Sequence, residues 1–128
     1  MTQDDDGSAA SRGYRMRIIG LQDFLAMPEG TAFAKYRPQM FGELCIKGES
    51  IRGANDFTFW PLWDIECGNS AEHYEQLVAA ETQGADIPID LRCEQRDGFF
   101  EAGQLFAVFS KDEVRLMAES LRSVADGR

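Results

Sequence analysis

The sequence predicts an α+β domain in which a mostly antiparallel sheet of five or six strands, flat or strongly curled, carries two main helices on one face. Short apolar segments bounded by Pro, Gly and Asn recur along the chain, as expected for strands. Two longer segments space their apolar residues as helices do. A length of 128 residues and a mass of 14.4 kDa fit one domain with one core.

The first half of the chain predicts three strands and a short helix. Residues 15–27 (RMRIIGLQDFLAM) predict a strand followed by one or two helical turns, which Pro28 ends. Residues 31–37 (TAFAKYR) and 41–48 (FGELCIKG) predict two strands separated by Pro38.

Residues 56–65 (DFTFWPLWDI) predict a further strand with an unusual pattern. Alternation places Phe57 and Phe59 on one side, Trp60 on the other, and returns Trp63 to the first side. Both faces of this strand are therefore apolar. Two helices on one face leave the other face uncovered, so we expect curling of the sheet, a second copy of the chain, or a ligand groove to cover it.

The second half predicts two helices and two strands. Tyr74, Leu77 and Val78 share one face of a helix that Gly84 ends. Residues 86–95 (DIPIDLRCEQ) alternate apolar and polar side chains, which predicts a strand with one dry face.

A central strand and a capped helix follow. Residues 104–109 (QLFAVF) form a continuous apolar run, typical of a strand buried on both faces. Ser110 and Glu113 have the spacing of a capping box. The helix that they open carries one apolar stripe, made of Val114, Met117, Ala118 and Leu121.

Composition narrows the classes of function. The formal net charge of −9 and the isoelectric point near 4.5 argue against general nucleic-acid binding, which depends on Lys and Arg. The apolar runs are shorter than the ~20 residues of a membrane span. Residues 1–14 predict a disordered acidic tail without the apolar stretch of a secretory signal, and residues 15–128 a single domain.

The cysteines and the single histidine give little indication of a catalytic site. Cys45, Cys67 and Cys93 are widely spaced, which favours reduced thiols and a cytoplasmic location. His73 near Cys67 is too sparse a set for zinc, and no nucleophile elbow or phosphate-binding loop is present. We therefore predict no catalytic residue, metal or cofactor. A small hydrolase or transferase that uses Cys67, His73 or the abundant acids is the enzymatic alternative.

Charge is distributed unevenly along the chain. Residues 64–101 contain ten acids and two arginines, whereas residues 31–52 carry a net charge of +2 beside aromatic strands. Cations next to aromatic rings suit a phosphate-bearing ligand whose ring can stack. The predicted ligand-binding residues are Trp60, Trp63, Arg37, Lys47, Arg92 and Arg96. The acidic segment alternatively predicts direct contact with a basic protein.

Several short motifs carry a resemblance that covers about residues 18–122. They are Gly30-Thr31, Lys35-Tyr36, Phe41-Gly42, Ile46-Lys47-Gly48, Arg96-Asp97-Gly98 and Gln104-Leu105-Phe106. In these the chain resembles small, largely uncharacterised proteins of phages and prophages. Proteins of that kind are often counter-defence factors, which block an immune effector of the host or sequester a nucleotide immune signal.

The resemblance implies a non-enzymatic, anti-immune binding protein in the cytoplasm of a bacterial host. The first hypothesis is sequestration of a small nucleotide-type immune signal by a self-associating protein. The alternative is inhibition of a host defence protein by direct contact.

Overall fold

The computed structural model describes residues 14–51, 53–66, 70–98 and 102–127. The strands are β1 (Met16–Gly20), β2 (Ala32–Arg37), β3 (Met40–Phe41), β4 (Cys45–Ile51), β5 (Asp56–Pro61), β6 (Asp64–Ile65), β7 (Ile89–Asp90), β8 (Gln95–Arg96) and β9 (Leu105–Phe109). The helices are α1 (Leu21–Leu25), α2 (Ser70–Gln83) and α3 (Lys111–Ala125).

The main sheet has seven strands, and every pairing in it is antiparallel. Its order is β1-β9-β2-β4-β5-β8, and β3 pairs with β2. Two of the seven strands, β3 and β8, have only two residues each, and β6 and β7 form a separate small ladder. The predicted α+β class with a mostly antiparallel sheet is confirmed.

The core is a cluster of phenylalanines between α1 and one face of the sheet. Phe24 of α1 stacks on Phe106 of β9, with ring centroids 4.1 Å apart. Phe33 of β2 and Phe57 of β5 contact the Phe24 ring edge-on, with centroid distances of 4.7 and 4.9 Å. All four rings are buried, and each stabilises the fold by about 1.5–3 kcal/mol. The central position of β9, between β1 and β2, agrees with its continuous apolar sequence.

The predicted strand over residues 86–95 is wrong. The structure has two short strands there, β7 and β8, and they pair with different partners, β6 and β5. Ile89 and Leu91, which were expected on a dry face, are exposed. The alternation of apolar and polar side chains is a property of one segment taken alone. A strand over residues 86–95 would also need a neighbouring strand to pair with along its whole length, and the fold does not provide one.

The end of α2 and the start of α3 agree with the local sequence. Gly84 follows α2 with a φ of +69°, and the capping box of α3 is present, so Glu113 accepts a hydrogen bond from the Ser110 amide at 2.7 Å. Their burial is slight: α2 has no buried residue, and in α3 Glu113 is the one buried residue described. Across the described parts of the chain, no helix combines the length and apolar character needed to cross a bilayer.

Two sequence predictions concern residues that the structure does not describe. The predicted tail over residues 1–14 lies outside it except for its last residue, Tyr14, which is exposed. Cys67 also lies outside the described residues.

Candidate functional site

A groove of about 440 Å³ lies beside Trp60, where β4 and β5 approach the segment that joins β7 to β8. Trp60 pairs with Ile46 across the β4–β5 ladder. By alternation its side chain points away from the phenylalanine core. The groove is lined by Glu29, Gly48, Glu49, Trp60, Arg92 and Glu94.

Trp60 and Arg92 are in direct contact. The guanidinium carbon of Arg92 lies 4.7 Å from the centroid of the Trp60 ring, which is a cation–π distance. The backbone of Arg92 is also held, because its amide donates a hydrogen bond to Asp90 Oδ1 at 2.9 Å. The structure thus already holds one cation on the aromatic wall of the groove.

Because residue 48 is a glycine, β4 can lie very close to β5 where the two strands line the groove. A Cβ atom at this position would lie 2.2 Å from Thr58 Oγ1 and 3.1 Å from Glu94 Oε2. The same hydroxyl oxygen of Thr58 accepts a hydrogen bond from the Glu49 amide at 3.0 Å. Strand pairing also shifts in register between Lys47 and Ser50. A glycine inside a strand often marks such a close approach of the backbone.

The electrostatic character of the groove is acidic. Three of its lining residues are glutamates, and Arg92 is the single basic residue among the six. Carboxylates accept hydrogen bonds and attract cations, and an aromatic face attracts cations as well. The arrangement therefore favours an ammonium or guanidinium group over a phosphate.

The six predicted ligand-binding residues do not form one cluster. The structure brings Trp60 and Arg92 together at the groove. Trp63 lies beyond the end of β5 with 58% of its surface exposed, and Arg37 is exposed at the end of β2. Neither of these two residues lines the groove.

The other two predicted cations have partners within the fold. Lys47 is buried; its ammonium lies 5.8 Å from the Phe24 centroid and donates a hydrogen bond to Ser50 Oγ at 2.9 Å. Burial lowers the pKa of Lys47, and the charge of Glu29 partly offsets this effect. Arg96 forms an ion pair with the buried carboxylate of Asp56.

Sequence reasoning missed Glu29, Gly48, Glu49 and Glu94 as groove residues. Glu94 belongs to the acidic segment 64–101, but nothing local distinguishes it from its nine acidic neighbours there. Gly48 carried the one usable sign, a glycine at the end of a predicted strand; the structure extends that strand to Ile51 and so places Gly48 inside it.

The described residues show a buried thiol and no cluster of metal ligands. Burial, with a contribution from Glu43, raises the pKa of Cys45 to about 12 although Lys35 opposes the shift. The Cys45 thiol is therefore protonated and unreactive at neutral pH. In residues 14–51, 53–66, 70–98 and 102–127, no three His, Cys, Asp or Glu side chains are grouped so that they could hold a metal ion.

No protein-family model, curated protein or solved structure matches this chain.

Proposed function

We propose that this chain is a non-enzymatic binding protein whose groove beside Trp60 takes a basic side chain of a protein partner. The observation that carries the proposal is the composition of the groove, in which an aromatic wall is surrounded by Glu29, Glu49 and Glu94. Arg92 acts as an internal analogue of the ligand, because its guanidinium already lies on the Trp60 ring. A cation from a partner would bind by the same forces.

The charge of the whole chain supports a basic partner. Residues 64–101 carry most of the net charge of −9. An extended acidic surface accelerates the approach of a basic protein and makes the affinity depend on ionic strength. The groove would then determine where the basic side chain docks, and the acidic segment how quickly it arrives.

We further propose, from the resemblance to small phage and prophage proteins, that the partner is a defence protein of the bacterial host. Binding would block that protein by direct contact in the host cytoplasm. Trp60 would be the anchor of the contact, because buried aromatic residues carry much of the binding energy of protein interfaces.

A small nucleotide-type signal is the second candidate ligand for the same groove. The stacked pair of Trp60 and Arg92 favours it, because an aromatic plane can hold a base while a guanidinium binds phosphate. The three glutamates oppose it, because they repel phosphate. Lys47 and Arg96, which the sequence offered as further phosphate ligands, are occupied within the fold.

Calorimetric titration distinguishes the two candidates. The probes are an oligo-arginine peptide and a panel of cyclic nucleotides and ADP-ribose derivatives, each at low and at high ionic strength. We expect the peptide to bind, with an affinity that falls as salt rises, and the nucleotides to give no heat. Nucleotide binding without peptide binding would replace the first candidate by the second, and no heat from either would contradict both.

A matched pair of variants shows whether the groove is the site. In Glu49→Gln/Glu94→Gln we expect peptide affinity to fall by about tenfold, or ~1.4 kcal/mol. Glu75→Gln/Glu81→Gln removes the same charge from exposed positions of α2 outside the groove and should have a much smaller effect. Equal losses in both variants would show that binding follows net charge alone and would contradict the groove as the site.

A further inference from the structure

The guanidinium of Arg92 is held at the groove by the Trp60 ring. Its carbon lies 4.7 Å from the ring centroid, and Arg92 is exposed whereas Trp60 is half-buried. In the part of the chain that the structure describes, no carboxylate lies within ion-pairing distance of this guanidinium. The three glutamates therefore line the same groove as a cation that they do not bind.

The backbone of Arg92 is fixed, so only its side chain has to move for the ring to become free. The Arg92 amide donates a hydrogen bond to Asp90 Oδ1 at 2.9 Å. Glu94, two residues later, lies directly before β8, which pairs with β5. The arginine side chain is a long unbranched stem, and rotation about its single bonds carries the guanidinium into solvent. Trp60 can thus be uncovered without any change in the sheet.

The uncovered groove offers an entering cation more than the Trp60 ring. Glu94 Oε2 lies 3.1 Å from the position that a Cβ atom of residue 48 would occupy, which places this carboxylate beside the backbone of β4 just before Glu49. Neither Glu49 nor Glu94 forms an ion pair within the described residues. Hydrogen bonds between a guanidinium and a carboxylate are charge-assisted and frequently bidentate. An entering guanidinium would make the ring contact that Arg92 gives up and add such bonds, so the exchange favours the partner.

The group that already lies on the ring indicates which basic side chain the groove takes. A guanidinium is planar, stacks on aromatic faces and is less strongly hydrated than an ammonium. It also presents its donors in a fork that matches a carboxylate, whereas a lysine ammonium acts as a point charge. An aromatic ring beside carboxylates is therefore better suited to arginine than to lysine.

We infer that the groove takes an arginine side chain of the partner and that Arg92 is a built-in competitor for it. In the free protein Arg92 covers Trp60, and the partner's arginine takes its place. This role of Arg92 rests on the proposed function, and it makes the affinity of the protein lower than that of an unoccupied groove.

Calorimetric titration with oligo-arginine and oligo-lysine peptides of equal length tests both parts of the inference. We expect Arg92→Gln to bind oligo-arginine about two- to fivefold more tightly than wild type, the equivalent of about 0.5–1 kcal/mol for an exposed cation–π contact. Arg37→Gln removes the same charge from an exposed position outside the groove and should change the affinity much less. Oligo-lysine should bind wild type more weakly than oligo-arginine does.

Proton NMR of the Arg92 side chain shows whether it is displaced. Protons above an aromatic ring resonate upfield, so the δ-methylene signals of Arg92 should lie upfield in the free protein. Their loss in Arg92→Gln identifies them. Saturation with oligo-arginine should return these signals to the positions typical of an exposed arginine.

The outcomes separate this inference from the proposed function. Peptide binding with the Arg92 signals still upfield, or an affinity of Arg92→Gln no higher than that of Arg37→Gln, would show that Arg92 is not a competitor. Equal affinities for the two peptides would overturn the choice of arginine. Each of these results leaves the proposed function intact, whereas no binding of either peptide to wild type or to Arg92→Gln would contradict the proposed function and the inference with it.

Discussion

The carboxylate of Asp56, fully buried at the start of β5, pairs with the guanidinium of Arg96, whose side chain is 58% exposed. Asp56 Oδ1 also accepts hydrogen bonds from the amides of Phe57 at 2.8 Å and Gly98 at 2.9 Å. One carboxylate thereby holds β8 and the following turn against β5. Since Glu94 directly precedes β8 and Arg92 lies two residues before Glu94, this contact also positions one wall of the groove.

Asp56→Asn should therefore lower the free energy of unfolding. The amide side chain loses the charge and offers one acceptor oxygen in place of two, so we expect a loss of about 1–3 kcal/mol in urea denaturation. Arg96→Gln should cost about 1 kcal/mol, because the two backbone donors remain. Arg37→Gln, a control at an exposed cation, should change stability by less than about 0.5 kcal/mol. An Arg96→Gln variant as stable as the control would show that the ion pair contributes nothing.

The same carboxylate should make stability depend on acid pH. Burial raises the pKa of Asp56, but the hydrogen bonds from Gly98, Arg96 and Phe57 outweigh burial and hold the pKa below its usual value. A lowered pKa in the folded state gives stability that is complete above the unfolded pKa of about 3.9 and is lost as the pH falls toward the folded pKa. Urea denaturation of wild type and Asp56→Asn should thus give a stability difference that shrinks below about pH 4. A constant difference would contradict this pKa.

Lys47 predicts a second pH dependence of the same sign, with stability rising as the pH increases, but in the alkaline range. Because burial lowers its pKa in the fold, the unfolded chain binds this proton more tightly, and stability rises as the pH increases from the folded pKa to the unfolded value of about 10.4. Lys47→Met removes the buried charge and should raise the free energy of unfolding at neutral pH by up to about 1 kcal/mol, with the advantage disappearing near pH 10. The exposed control Lys111→Met should show no such trend. A Lys47→Met advantage that persists at high pH would refute this account.

Cys45 should be protected from alkylation until the protein unfolds. Its thiol is buried, and a pKa raised to about 12 leaves very little thiolate at pH 8. Treatment with iodoacetamide followed by peptide mass spectrometry should show Cys45 unmodified in the native protein and fully modified in urea. The half-buried Cys93 is the internal comparison, and we expect it to react first. Equal native rates at the two cysteines would show that the strand around Cys45 opens readily.

Gly48→Ala should disturb both stability and the groove. The new methyl group would meet Thr58 Oγ1 at 2.2 Å, so β4 and β5 must separate, at a cost of about 1–3 kcal/mol. Thermal denaturation measures this loss, and binding of the oligo-arginine peptide should weaken in parallel. Gly103→Ala is the matched control, because a Cβ there has no atom within 4 Å and the residue has no left-handed φ. A Gly48→Ala variant with the stability of the control would contradict the close contact.

The sequence by itself determined the local features of this protein. The alternation in residues 56–61 places Phe57 in the core and Trp60 on the other face, and the Ser110–Glu113 box and Gly84 mark where helices begin and end. Each of these signals depends on residues within a few positions of one another, which short-range sterics and hydrogen bonding control. For the same reason the α+β class could be predicted before any contact was known.

Only the tertiary structure decided which charged residues are available for binding. Lys47, Arg92 and Arg96 look alike in the sequence, yet one is buried beside Phe24, one lies on Trp60 and one pairs with Asp56. These outcomes follow from strand order and from the register shift in β4, which bring together residues 23 to 40 positions apart. Alternation gives the face on which a side chain lies, whereas the partner that it meets there depends on which strands become neighbours.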